Sequence, residues 1–260
     1  MRFLRRGGAA LLLVPVLLMA PALAAAAVPA GSVTLITGRG TASSADGSIR
    51  ALAKGDSVYS GDVVHSSASS FIDLKFSDGG YFLLRPNTRF QVVDFVDHSV
   101  AAAAAPAPEA QQPAAAATAT TPAVPQGSGA SHAFFSLLKG GFRSVSGLIG
   151  KISHDEFQVS TPVATIGIRG TDYLVVMCDA ACATDPEISP ILPPGINAVG
   201  GMVATVYSHS IVVTDAGGVV TLLEGQYLLV LPDGTNILLP LEPHFLHVDP
   251  IPNPAGCAGE

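Results

Sequence analysis

Short apolar stretches broken by turn pairs constrain this chain more than any other feature. Gly55-Asp56, Gly61-Asp62, Asp78-Gly79, Pro86-Asn87, His209-Ser210, Gly217-Gly218, Gly225-Gln226 and Asp233-Gly234 punctuate it, and glycine, proline and aspartate at such pairs set the backbone reversals that end strands. Between them the apolar residues alternate. Ile72, Leu74 and Phe76 fall on one face of a stretch whose other face carries Phe71, Asp73 and Lys75, the period-two pattern of a half-buried sheet. Asp78-Gly79 reverses the chain into Tyr81 to Leu84, and Pro86-Asn87 turns it again into Phe90 to Phe95. Further strands are predicted at Val203 to Tyr207, Ile211 to Thr214, Val219 to Leu223, Tyr227 to Leu231 and Asn236 to Leu239.

With 27 Gly, 20 Pro and only 13% charged residues among 260, long surface helices are disfavoured, and 48% hydrophobic residues suffice for a sizeable core. The expected fold class is all-β, a meander or β-solenoid-like stack of short strands with a disordered Ala/Pro-rich insertion. Asp233-Gly234 before Ile237-Leu238-Leu239 echoes Asp78-Gly79 before Phe82-Leu83-Leu84, as stacked coils would require.

Other segments stand apart from that fold. Arg2, Arg5 and Arg6, an apolar run from Ala9 to Ala20, Pro21 and the small residues Ala22 to Ala27 follow the order of a secretory signal peptide. The expected leader is 1–24, with cleavage after Ala24 or Ala27. The alternative, an uncleaved anchor, is opposed by Pro15 and Pro21 in a run that barely reaches the roughly 20 residues of a spanning helix. Losing the leader leaves ten basic against twenty acidic side chains, a net charge of −10, which argues against nucleic acid and anionic lipid as partners. Residues 28–97 read as the first part of a β domain and 133–241 as the second. Between them, 98–132 is an alanine, proline and threonine insertion with no packed core of its own. Phe134, Phe135, Leu137 and Leu138 start either a short helix or a strand. Residues 242–260 read as an exposed proline-rich tail.

Phe157 to Val176 reads as strand, tight irregular bend, strand, with Pro162, Gly167 and Gly170 at its centre. An arginine among aliphatics and glycines needs a carboxylate or carbonyl partner, and Asp172 is the nearest candidate for Arg169. Arg169 is then a buried structural pin or, in the sharper reading, a ligand-binding group.

Ser160 to Val175, STPVATIGIRGTDYLV, resembles the signature segment of the FecR family, with Thr161, Pro162, Gly167, Arg169, Gly170, Thr171 and Asp172 at the matching positions. Leu52 to Phe90 resembles the family's opening pattern, including the turns at Asp78, Gly79 and Pro86. FFSLLKGGFRSVSG, from Phe134, resembles the segment that crosses to the signature stretch, with Lys139 and Arg143 expected to face solvent. The resemblance implies a periplasmic or secreted protein of cell-envelope signalling. In that family the periplasmic part receives a signal from an outer-membrane transporter and passes it to a sigma factor. The few residues before the apolar run hold no helical segment for a sigma factor, and no clear second domain follows Leu241, so direct control of transcription is not expected.

Cys178 and Cys182, close together in an exported chain, are expected to form a disulfide, leaving Cys257 free or available for an intermolecular link. No enzyme is expected. Ser153-His154-Asp155-Glu156 holds suitable residue types, but adjacency in sequence does not create triad geometry. His244, His247 and Asp249 sit in a tail broken by prolines and are not expected to hold a metal, and no cofactor is implied. Two functions remain. One is a binding or sensing module for a protein or envelope polymer, using sheet edges or the loop from Pro186 to Pro194. The other is an envelope assembly protein that self-associates through its β-rich domain.

Overall fold

A computed structural model describes residues 28–98 and 130–248. The expected leader, most of the alanine–proline insertion, Asp249 and Cys257 lie outside the described residues.

The strands are β1 (Gly31–Thr37), β2 (Gly40–Ser43), β3 (Ile49–Ala51), β4 (Ser57–Val58), β5 (Val63–Ser66), β6 (Phe71–Phe76), β7 (Tyr81–Leu84), β8 (Arg89–Val96) and β9 (His132–Lys139). They continue with β10 (Gly141–Val145), β11 (Phe157–Ser160), β12 (Ala164–Ile168), β13 (Asp172–Met177), β14 (Met202–Ser208), β15 (Ser210–Asp215), β16 (Gly218–Leu223), β17 (Tyr227–Val230) and β18 (Asn236–Leu239). Sheet A runs β4-β1-β6-β7-β10-β13-β14-β17-β18, and sheet B runs β3-β2-β5-β8-β9-β11-β12-β15-β16. The chain passes repeatedly between the two sheets while advancing along both, so strand order follows chain order except at the outermost strands β3 and β4. Pairing is antiparallel apart from β9 with β11. The fold is the all-β stack of short strands that the turn pairs imply.

Two turn constructions recur and explain why glycine and aspartate punctuate the sequence. At Asp46-Gly47, Asp78-Gly79 and Asp233-Gly234 the aspartate Oδ1 accepts the N–H two residues on, and the glycine donates back to residues 44, 76 and 231. These glycines lie at φ +85°, +83° and +84°, where a side chain would be strained. Where the chain crosses between sheets, Asp56, Asp62 and Gln226 each accept, on a side-chain oxygen, the N–H three residues earlier. The glycine before each donates to a neighbouring strand, at Val33, Val92 and Val206.

The core lies between the sheets. Phe76, Phe82, Phe90, Phe95, Phe135, Phe142 and Phe157 interlock there, the nearest ring centroids, Phe82 and Phe135, being 4.6 Å apart. Such pairs contribute about 0.5–1.5 kcal/mol beyond their buried area. A second apolar cluster covers the outer face of sheet A. The segment after β13 folds back over it with a short helix α1 (Ala180–Ala183), and Cys178, Cys182, Ile188 and Ala198 pack on Leu174, Val176, Val203 and Leu229. Burial on both faces explains the unbroken apolar run in β13, since a strand covered on both sides need not alternate.

Several expectations change. The signature stretch is three strands: Ala164, Ile166 and Ile168 point inward from β12, so its centre is a regular strand rather than an irregular bend. Phe134 and Phe135 belong to β9, which resolves the choice between helix and strand. The loop from Pro186 to Pro194 serves chiefly as the cover of sheet A, with Ile188 buried although the prolines stay exposed. The tail begins docked rather than exposed: Phe245, at the start of a helical turn, donates its N–H to Asp185 at 2.6 Å, and Leu246 is buried beside it. Among the described residues no helix is long and apolar enough to cross a membrane.

Candidate binding surface

The signature stretch divides its residues between scaffold and surface. Thr161 closes the β11–β12 turn, its hydroxyl accepting the Ala164 N–H at 2.9 Å and its own N–H donating to the Ala164 carbonyl, with Pro162 exposed at the tip. Gly170, at φ +67°, lets the chain leave sheet B for sheet A. Thr171 is fully buried at that crossing: its hydroxyl donates to the Ser210 carbonyl at 2.6 Å, and its N–H donates to Ser146 Oγ at 2.8 Å.

Asp172 and Arg169 do not meet. Asp172 accepts two hydrogen bonds from Arg143, Nε at 2.9 Å and Nη2 at 2.7 Å, and the Arg143 guanidinium lies over the Tyr207 ring, 4.5 Å from its centroid. Those hydrogen bonds raise the Arg143 pKa against the opposing cost of burial. Arg143 is therefore half-buried and is the pin, not the solvent-facing residue the crossing segment implied. Arg169 is exposed. The reason is register: β12 directs Ile166 and Ile168 into the core, which leaves Arg169 at the strand end on the solvent side.

The outer face of sheet B is the face that no described segment covers as the 178–201 loop covers sheet A. Strand register lines up Ser43, Val63, Gln91, Ser136, Ser160, Thr165, Thr214 and Val219 in one row across eight strands. At about 4.8 Å per strand the row is roughly 34 Å long, and it carries no charge. The parallel row is Phe134, Gln158, Gly167, Val212 and Thr221. Gly167 interrupts it with a missing side chain, and a cavity of about 350 Å³ opens there, walled by Gln158, Thr165, Val212 and Thr214 and rimmed by His154, Asp155 and Arg169. A second, more open cavity shares Arg169, His154 and Asp155 with it.

Neither conformation nor packing requires glycine at 167. Its φ is not positive, and a Cβ would meet nothing nearer than the Val212 carbonyl oxygen at 4.0 Å. A glycine inside a strand costs stability and marks a place where something approaches the backbone closely. Ser153 to Glu156, the run with acyl-transfer residue types, forms an exposed turn at this rim with a 3-10 segment at His154–Glu156. Ser153, His154 and Asp155 line the second cavity together with Arg169.

The other cavity of note, about 510 Å³, lies between the Pro86-Asn87 turn and the Cys178 end of the covering loop, lined by Leu138, Pro162, Met177 and Val199 among others. Cys178 and Cys182 stand at disulfide distance, 1.99 Å between sulfurs, and both are buried. Asp78 fixes its turn to the rest of the fold: its carboxylate accepts the Gly80 N–H at 3.0 Å and the Ile149 N–H at 3.4 Å. Burial raises its pKa, in part offset by those bonds. His244 is exposed, and among the described residues no group of three His, Cys, Asp or Glu side chains is placed to hold a metal ion.

No protein-family model matches the chain, and no curated protein matches it. Among solved structures, two crystal structures of a protein described as a candidate anti-sigma factor from Parabacteroides distasonis are similar in part, each at 13% identity, with TM-scores of 0.39 and 0.38. Each match covers 67% of this chain and 57% of that one, so the chain spans little more than half the length of those structures.

The arrangement of Gly167 and Arg169 was legible only in part. The glycine and arginine stand out in sequence, but which way the arginine points depends on the parity of β12, and that on reading Ala164 to Ile168 as a strand. The polar row was visible as mild alternation in Gln158-Val159-Ser160 and Thr165-Ile166-Gly167, too weak a signal without the register to align it.

Proposed function

We propose that this chain is an exported, non-catalytic, FecR-like binding module of the bacterial cell envelope, holding a protein or an envelope polymer against the outer face of sheet B in a sensing or signalling role. The observation that carries the binding reading is the Gly167 depression: a strand interior left without a side chain that packing would accept, under an exposed arginine. An uncharged row of hydroxyl and amide groups suits an extended partner, since these groups lose less on desolvation than charges do. The resemblance of the signature stretch supports the family, and the basic, apolar, small-residue order of the first residues supports a periplasmic or secreted location.

Capture from envelope extract, with the purified chain as bait, tests this directly. Retention of one identified protein or polymer is expected, together with recovery of a processed chain from the envelope fraction by intact-mass measurement. A chain recovered from the cytoplasm still beginning at Met1, or turnover of a small substrate lost on Arg169→Ala, would overturn the proposal.

A further inference from the structure

The two ends of the stack are built differently. At the β3–β4 end the edge strands are three and two residues long, and the space between the sheets is closed by a charged plug. Arg50 bonds Asp62, the Ser57 carbonyl at 3.0 Å and Ser44 Oγ at 2.8 Å, and stands over the Tyr59 ring. Asp62 is 1% exposed. Short edges and a charge at the end are the devices by which sheets avoid adding strands from another molecule.

At the other end the β16 edge has none of them. β16, Gly-Val-Val-Thr-Leu-Leu, is six residues without charge or proline and among the described residues pairs with β15 on one side only. β18 likewise pairs, among the described residues, only with β17. Leu238 lies in register with Leu228, whose side chain is buried between the sheets, so it faces the same layer, yet it is 57% exposed. The core is open at this end. Val219 and Leu223 are more than half exposed on the same strand edge, and Leu241 lies exposed just past β18. An uncharged, proline-free, β-prone segment at an unpaired edge is the composition that takes up another strand.

We propose that a second copy of this chain closes this end, through a two-fold axis perpendicular to the sheets that pairs β16 with β16 and β18 with β18, all antiparallel. Centred on Thr221, the pairing sets Val219 against Leu223 of the second copy on the outer face and Val220 against Leu222 on the inner one. Glu224 then falls opposite Gly218, so no like charges meet. The same operation brings the two open cores together at Leu238. A two-fold interface needs a self-complementary patch, and an uncharged strand with apolar residues on either side of its centre is one. The chain beyond 248 is a poor occupant of this edge, because Pro250, Pro252 and Pro254 remove alternate amide donors. The inference is independent of the ligand reading, but it joins the two outer faces of sheet B into one surface. The two Gly167 depressions then lie about 24 Å apart, five strand spacings.

Sedimentation or light scattering of the purified chain across a concentration range tests the pairing. A mass of two chains is expected, falling to one for Thr221→Lys and for Leu238→Lys, while Ile49→Lys at the opposite end leaves the dimer intact. Should the lysine variants fold poorly, Thr221→Cys in a Cys257→Ser background is expected to give a disulfide-linked dimer on oxidation, with Ile49→Cys giving none. A monomeric parent overturns the proposal. So does a dimer that persists in folded Thr221→Lys, a dimer lost in Ile49→Lys, or a parent dimer lost on replacing residues 99–129, which would make the insertion the joining element.

Discussion

Asp172 takes both of its side-chain hydrogen bonds from Arg143, in the neighbouring strand of sheet A, and none from Arg169, three residues away in sequence. A planar guanidinium needs two parallel bonds to gain its full advantage, and β10 beside β13 supplies that geometry where the Gly170 turn does not. The pin and the exposed arginine are therefore different residues with different consequences when removed.

Arg143→Ala is expected to cost about 2 kcal/mol, between the small value of an exposed pair and the 3 to 5 of a fully buried one, because the pair is about a quarter exposed. Lysine should recover only part of it. Arg169→Ala should change stability by no more than about 0.5 kcal/mol. Urea unfolding of the three variants checks the order, and equal losses from the two alanine variants would refute the assignment.

Asp73 gives a pH dependence. It is buried on the outer side of β6, with Oδ2 accepting from Thr34 Oγ1 at 2.6 Å and Oδ1 without a hydrogen-bond partner among the described residues. Burial raises its pKa, offset in part by Thr34 and by the charge of Lys75. A raised carboxyl binds its proton more tightly folded than unfolded, so its contribution is fully present below the unfolded value and is lost as pH rises through the folded one. Asp73→Asn removes that loss. Its melting temperature relative to the parent should climb as pH rises from the ordinary aspartate range through the raised folded value and then level off, and a difference constant with pH would contradict this.

Cys178 and Cys182 should map to one linked fragment under non-reducing conditions. Both sulfurs are buried beneath the loop that covers sheet A, so reduction should require partial opening. Closing so short a loop is worth about 2 kcal/mol in the chain-entropy model, and denaturant unfolding with and without reductant reads that difference. Two free thiols in freshly isolated protein would end this expectation.

The insertion should be replaceable. The His98 N–H donates to Ser131 Oγ at 3.0 Å, so the two ends of the segment lie together where β8 and β9 pair, and a few glycines and serines can join them. The melting temperature is expected to stay within a few degrees. A large drop would mean that residues 99–129 pack on the sheets.

Turn chemistry made the fold class readable, because the turns at Asp78-Gly79 and Asp233-Gly234 are each closed by hydrogen bonds within five residues. Asp46-Gly47 follows the same rule and was equally available in the sequence. The pairing of Arg143 with Asp172 was not, since it depends on two strands 29 residues apart lying side by side. The covering of sheet A was half legible: the apolar run of β13 hints at burial on both faces, but only the folded loop shows which residues supply the second face. The plug of Arg50 and Asp62 was hidden for the same reason, although Asp62 drew notice as a turn residue.

The binding surface is tested most directly by capture from envelope extract with Arg169→Ala and Gly167→Val beside the parent, each first shown to melt within a few degrees of it. Valine at 167 enters the depression from a Cβ that meets nothing nearer than the Val212 carbonyl oxygen at 4.0 Å and suits a strand. Both variants should remain folded and lose the partner that the parent retains. A folded Gly167→Val that captures at full strength would show that the outer face of sheet B is not where this protein binds.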